Sequence, residues 1–338
     1  MPQRRKDSPA PREPILIHDQ EILAGTKVTL EIPIASLSTG TVLSLPVVVV
    51  HGSKPGPTLL VSAAIHGDEI NGVEIVRRVL DEVKPRGLSG TLIAVPIVNV
   101  FGYLTRSRYL PDRRDLNRSF PGSKKGSLAS QIAFLFMTKI VKNCDYGIDL
   151  HTGSDGRTNM PQVRCNLHDP VTREFGLAFG APVMVQSRIR ANSLRATAAK
   201  MNLPMLVYEA GEAHRFDNWS LEVGVKGVIA CMSHLGMLSS ELEPQPQETV
   251  VAASSSWIRV QRGGVLHHDI QLGDQIQRGQ LLGTVTDIYG KKRSSVVSAY
   301  EGLVIGMTRT PLVTRGDAVF HIAREEALTP AEEAGEEE

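Results

Sequence analysis

The chain has 338 residues, with 37 Lys+Arg against 36 Asp+Glu and a formal net charge of +1, which excludes the strongly basic character of a typical nucleic-acid binder. Hydrophobic residues make up 41% and charged residues 22%, a globular balance that excludes a disordered chain and suits two domains at roughly 150 residues each. Three cysteines, Cys144, Cys165 and Cys231, have no close pairing, so neither a disulfide framework nor a cysteine-based zinc site is expected.

Residues 1–14 are polar and Pro-rich, and their basic residues are not followed by an apolar stretch. They read as a tail, not a signal peptide. No apolar run reaches the eighteen or so residues of a membrane span, so the expectation is a cytoplasmic chain with no membrane partner. Residues 15–50 hold short alternating segments, including Val47 to Val50, that predict edge strands or a hairpin.

From residue 58 the pattern changes. PTLLVSAAI is a continuous apolar run, typical of a strand covered on both faces. Behind it, Ile70, Val73, Ile75, Val76, Val79, Leu80 and Val83 fall near helical spacing. TLIAVPIVNV predicts a second buried strand, LASQIAFLFMTKIV a helix, and CDYGIDLH a strand ending on His151. Helix-like 170–180, strand-like 182–186, helix-like 193–201 and strand-like 204–209 follow, and then a long helical pattern from Asn218 to near Leu238. This alternation predicts an α/β unit over 15–240, with a mixed, mostly parallel sheet flanked by helices.

Residues 241–254 are polar, carry two prolines and lack periodicity, as a linker does. Over 255–324, β-type runs alternate with glycine turns, predicting a smaller all-β domain. Gly264-Val265-Leu266 leads to Gly273-Asp274, and Gly302-Leu303-Val304 leads to Gly316-Asp317. This weak duplication resembles the two halves of a lipoyl/biotinyl-type barrel sandwich. Lys291-Lys292 lacks the flanking sequence of a modified lysine and reads as a basic turn. Residues 325–338 close the chain with the acidic run AEEAGEEE.

The residues with chemical potential sit at the ends of the buried strands, where α/β sheets bind ligands. His66 and Glu69, three apart in Ile65-His66-Gly67-Asp68-Glu69, can share one metal if the first leaves the strand and the second begins the helix. His151 ends another strand. Two histidines and a carboxylate make the open three-ligand site of catalytic zinc, with water in the fourth place. Glu209 ends a third apolar strand and suits the base, with Glu212 as its rival. Arg106, Arg108, Arg113, Arg114 and Arg118 cluster in one loop with Asn117, and arginine is suited to bidentate carboxylate binding. His168, Asn192 and His214 fit surface positions better than pocket positions.

In this order and spacing, HGDE, DLNRSFPG, DLHTG and YEAGE resemble the succinylglutamate desuccinylase/aspartoacylase family, within the wider zinc carboxypeptidase-like group. The resemblance spans about residues 45–240 and also suits the β-rich C-terminal unit. It implies one zinc per chain on His66, Glu69 and His151, with Glu209 as general base. It implies Asn117 and Arg118 as binders of a substrate α-carboxylate. An upstream arginine polarises the scissile carbonyl. Arg108 is the choice, with Arg106, Arg113 and Arg114 competing because this loop is longer than in aspartoacylase. Arg195 is matched to the arginine that reads a second substrate carboxylate, across a longer spacing to Glu209 than the family shows. The implied activity is hydrolysis of a small N-acyl amino acid. A carboxypeptidase-like peptidase and a non-catalytic binding protein are the alternatives. The β-rich unit is free to cap the pocket or to build a homo-oligomer interface.

Overall fold

The computed structural model describes residues 12–154, 156–238 and 248–325. Most of the expected linker, the acidic run, and all but residues 12–14 of the N-terminal tail lie outside the described residues.

The N-terminal part opens with β1 (Ile15–Ile17) paired antiparallel to β2 (Gln20–Ile22), then β3 (Thr26–Ser36), β4 (Val42–His51) and β5 (Lys54–Ala63). Next come α1 (Asn71–Glu82), β6 (Ser89–Val95), α2 (Val100–Thr105), α3 (Leu128–Lys139), β7 (Tyr146–Gly153) and β8 (Arg157–Cys165). After these come α4 (Pro170–Phe179), β9 (Val183–Gln186), α5 (Leu194–Lys200), β10 (Met205–Glu212) and α6 (Asn218–His234). The centre of the sheet is parallel, in the order β6-β5-β7-β10, while β3, β4 and β8 join antiparallel. The mixed, mostly parallel sheet expected from the sequence is therefore present.

The continuous apolar runs are explained by burial on two sides. Leu59 and Val61 of β5, with Leu92 of β6, pack under α1, α4 and α6 against Val79, Phe175 and Val228. Leu60 and Ile93 face the other way, toward Phe136 of α3 and Ala198 of α5. Alternate residues of a strand point to opposite faces, and each fully buried Leu or Ile contributes about 1.5–3 kcal/mol. Among the described residues no helix is long and apolar enough to cross a membrane.

The C-terminal part comprises β11 (Val250–Ala252), β12 (Ser254–Arg259), β13 (Gly264–His267), β14 (Gln275–Ile276), β15 (Leu281–Thr286), β16 (Arg293–Val297), β17 (Gly302–Thr308), β18 (Leu312–Val313) and β19 (Ala318–Arg324). Among its described residues no helix occurs, as expected. Strands β16-β15-β13-β18 form a separate antiparallel sheet, and a core including Ile276, Val285, Val304 and Phe320 lies between it and the large sheet. The duplicated glycine turns pair crosswise, β14 with β17 and β18 with β13. Lys291 and Lys292 lie in the exposed turn between β15 and β16.

Two features were not apparent in the sequence pattern. The short apolar segment Val250–Ala252, within the stretch read as a linker, pairs parallel to β9. The large sheet also continues through β8 onto β17, β19 and β12, so both parts of the chain share one sheet.

Candidate metal centre and active site

The C-terminal ends of β5, β7 and β10 lie side by side, because Ala63 pairs with Leu150 and His151 pairs with Glu209. His66 and Glu69 lie in the turn between β5 and α1. That turn passes close to α2: a Cβ on Gly67 would fall 1.9 Å from the carbonyl carbon of Gly102. The glycine of HGDE is thus required by backbone approach, independently of ligand chemistry.

His66, Glu69 and His151 are buried, and each offers a donor atom within 4.8 Å of the others. His66 Nδ1 lies 2.8 Å from Glu69 Oε1, and His151 Nδ1 lies 2.9 Å from Glu69 Oε2. The outer nitrogens face carboxylates as well. Asp115 Oδ1 lies 3.2 Å from His66 Nε2, and Asp149 Oδ2 lies 2.8 Å from His151 Nε2. Asp149, two residues before His151 on the same strand face, is held in turn by the Ser62 hydroxyl at 2.8 Å.

Carboxylates only accept hydrogen bonds, so in neutral rings that carry their proton on the outer nitrogen, that nitrogen donates to Asp115 or Asp149. That leaves both Nδ1 lone pairs directed at Glu69, an arrangement that requires additional positive charge. Glu69, Asp115 and Asp149 carry three negative charges, and Arg108 neutralises one, through Glu69 Oε1 at 3.3 Å and Asp115 Oδ2 at 2.9 Å. The remaining two match a divalent cation. The donor set and its anchored outer nitrogens suit zinc, whose histidine ligands are usually fixed by such carboxylates.

Protonation of the rings is the other way to supply the charge. Burial opposes charging of His66, but Glu69 and Asp115 outweigh it and raise its pKa. His151 is likewise raised well above the usual histidine value, with burial opposed by Asp149 and Glu69. Burial would raise the carboxyls of Glu69 and Asp115, yet their charged partners hold both far below the usual range. Metal binding must displace these ring protons, which makes affinity fall in acid.

These residues open into a cavity of about 500 Å³ that Glu209, Asn117, Arg118 and Arg195 also line. Glu209 Oε2 accepts from Asn159 Nδ2 at 2.9 Å, and Arg164 Nη1 lies 3.4 Å from its Oε1. Glu212 lies outside the cavity, with Oε2 3.6 Å from Arg215 Nε. Of the competing loop arginines, Arg108 lines the cavity and Arg106, Arg113 and Arg114 do not. Its backbone is held by buried Asn99, whose Nδ2 donates to the Arg108 carbonyl at 3.3 Å.

In Asp115-Leu116-Asn117-Arg118, Asp115 also accepts from the Asn117 amide at 2.8 Å, so one carboxylate shapes the turn, orients His66 and holds Arg108. Asn117 Oδ1 accepts from the Leu194 amide at 2.9 Å and so anchors the start of α5. One turn of that helix carries Arg195, whose Nη2 is bonded to Ser187 and Arg188 carbonyls while Nη1 is buried without a partner. Burial lowers the Arg195 pKa to about 10, and Arg164 and Arg190 add to the effect.

His168, Asn192 and His214 do not line the cavity. Several lining residues went unrecognised in the sequence. Asp115 and Asp149 lie inside the quoted motifs, where proximity to a candidate ligand histidine was the available signal. Asn159, Arg164, Arg190, Trp257 and Arg259 belong to no motif, and the last two come from the C-terminal part.

The N-alpha-acetyl-L-2,4-diaminobutyric acid deacetylase of Halomonas elongata is 28% identical over 311 residues, covering 87% of this chain and 90% of that protein. The product-bound ectoine utilization protein EutE (DoeB) from Ruegeria pomeroyi superimposes with a TM-score of 0.80 at 25% identity, covering 92% of this chain and 98% of that one. A succinylglutamate desuccinylase/aspartoacylase from Rhodobacter sphaeroides shares the fold with a TM-score of 0.80 at 22% identity, over 88% of this chain and 95% of that one. The profile of the succinylglutamate desuccinylase/aspartoacylase catalytic domain matches residues 55–235, more than half of the chain. The chain belongs to the succinylglutamate desuccinylase/aspartoacylase family.

Proposed function

We propose that the chain is a zinc-dependent amidohydrolase that removes an N-acyl group from an amino acid or a related small carboxylate. One observation carries this reading: His66, Glu69 and His151 converge in a cavity that also contains Glu209. The similarity to a deacetylase of an N-acetylated amino acid supports it. Zinc held by these three residues supplies Lewis acidity toward a carbonyl oxygen and makes water a nucleophile at neutral pH.

The rest of the work falls to side chains. Glu209 takes a proton from the attacking water and delivers it to the departing nitrogen as the C–N bond breaks. The products are a carboxylate, which keeps the water oxygen, and a free amine. Arg108, 3.3 Å from Glu69, places its charge beside the carbonyl oxygen as negative charge grows there. Asn117 and Arg118 bind the substrate α-carboxylate, and Arg195, which lines the same cavity, reads a second anionic group.

The test is amine release by zinc-loaded protein from a panel of N-acetyl amino acids, N-succinyl amino acids and peptides. Turnover of one or more N-acyl amino acids is expected. Hydrolysis confined to the peptides would favour a carboxypeptidase, and absence of bound zinc would favour a non-catalytic scaffold.

A further inference from the structure

We propose that the C-terminal β region positions the general base: β17 seats Asn159 so that its amide holds the Glu209 carboxylate. This rests on the reading of Glu209 as base and adds a function for the strands beyond residue 300.

Asn159 is 5% exposed and lies on β8 between two glycines, paired with Gly211 of β10 on one side and Gly306 of β17 on the other. Its Nδ2 donates to Glu209 Oε2 at 2.9 Å, while its Oδ1 occupies the space left beside Gly306. A Cβ on Gly306 would fall 2.9 Å from that oxygen, closer than real Cβ atoms approach their neighbours. The missing side chain on β17 therefore leaves the room in which the amide lies, and the Glu209 carboxylate, which only accepts, turns the nitrogen toward itself. With the oxygen lodged against β17, the nitrogen points to the base.

Arg164, also on β8, approaches the other carboxylate oxygen at 3.4 Å. Glu209 has three side-chain torsions, and a base that swings loses the geometry its proton transfer needs. Donors on both oxygens remove that freedom. Asn159 and Arg164 act here through the Glu209 carboxylate that each faces, so both are positioning residues.

The experiment uses full-length zinc-loaded protein and the panel substrate it cleaves fastest. Asn159→Asp keeps the shape but replaces the donor with a second carboxylate against Glu209, and kcat is expected to fall about 100-fold. KM should stay within about twofold, because the Asn159 amide that lines the cavity is engaged by Glu209, and zinc should remain at one per chain. Asn159→Ala should show the same split. Gly306→Ala should lose part of the wild-type kcat, yet add no loss to Asn159→Asp, because both act through one contact. An unchanged kcat in Asn159→Asp would overturn the proposal. So would an unchanged kcat in Gly306→Ala, or losses that multiply in the double variant. Turnover retained by Glu209→Gln would instead remove the base itself. An inactive Glu209→Gln beside fully active Asn159 variants would remove only this inference.

Discussion

The ends of β5, β7 and β10 and the C-terminal β region both contribute to one cavity, but in different ways. At the parallel strand ends, Glu69, Asp115, Asp149, Arg108 and two imidazoles form a network in which each polar contact runs to a carboxylate. The C-terminal region contributes Trp257, stacked on His321 at 4.5 Å and lying under Arg157 at 5.4 Å, together with Arg259. The first arrangement concentrates charge where a cation and a reacting bond can sit. The second builds a wall and, through β17, a support. Parallel sheets gather functional groups at one edge, whereas an antiparallel unit is placed to limit the space around them.

Substitutions can break this contrast or sharpen it. The largest effect is expected from His151→Ala, which leaves Glu69 and Asp149 buried without their shared partner. Metal analysis and activity assays should show loss of both zinc and turnover, while circular dichroism remains that of a folded protein. Asp149→Asn retains the ligand but weakens its anchor, and metal affinity measured by chelator competition should drop about 10–100-fold. Trp257→Ala, in the wall contributed by the C-terminal part, should raise KM about tenfold with kcat little changed, since it removes binding and not chemistry. A large kcat loss there would place Trp257 within the reacting machinery and erase the distinction between the two regions.

The smallest effect is on stability. Burial, reinforced by the Arg164 charge, holds the His321 pKa well below the usual histidine value. The unfolded chain therefore binds a proton near pH 6.5 that the folded chain refuses, so stability falls as pH drops below that value. The slope from this one group is at most about 1.4 kcal/mol per pH unit, ending at the depressed folded pKa. Urea titrations across pH 5 to 7 should show His321→Gln losing less stability in acid than the wild type.

Much of the candidate metal centre was legible in the sequence, because its parts are local. A strand end followed by a helix start sets the spacing of His66 and Glu69, and an apolar run ending on His151 marks another strand end. The alternating runs between residues 57 and 238 also made the α/β architecture legible. Asp149 and Asp115 were in view but carried no role, since orienting an imidazole leaves no spacing rule as specific as ligand geometry. Asn159 and Arg164 were not legible as site residues. Their position depends on pairing β8 with β10 and β17, segments separated by about 50 and 150 residues, and no local pattern records that register. The same long-range pairing joins the two parts of the chain in one sheet, which composition and turn signals alone could not show.

The most direct test of the account is zinc content and turnover measured together in Glu209→Gln. The substitution preserves shape and leaves His66, Glu69 and His151 untouched. One zinc per chain, as in the wild type, is expected, with turnover of the best N-acyl amino acid lost. Turnover near the wild-type rate with zinc bound would contradict it.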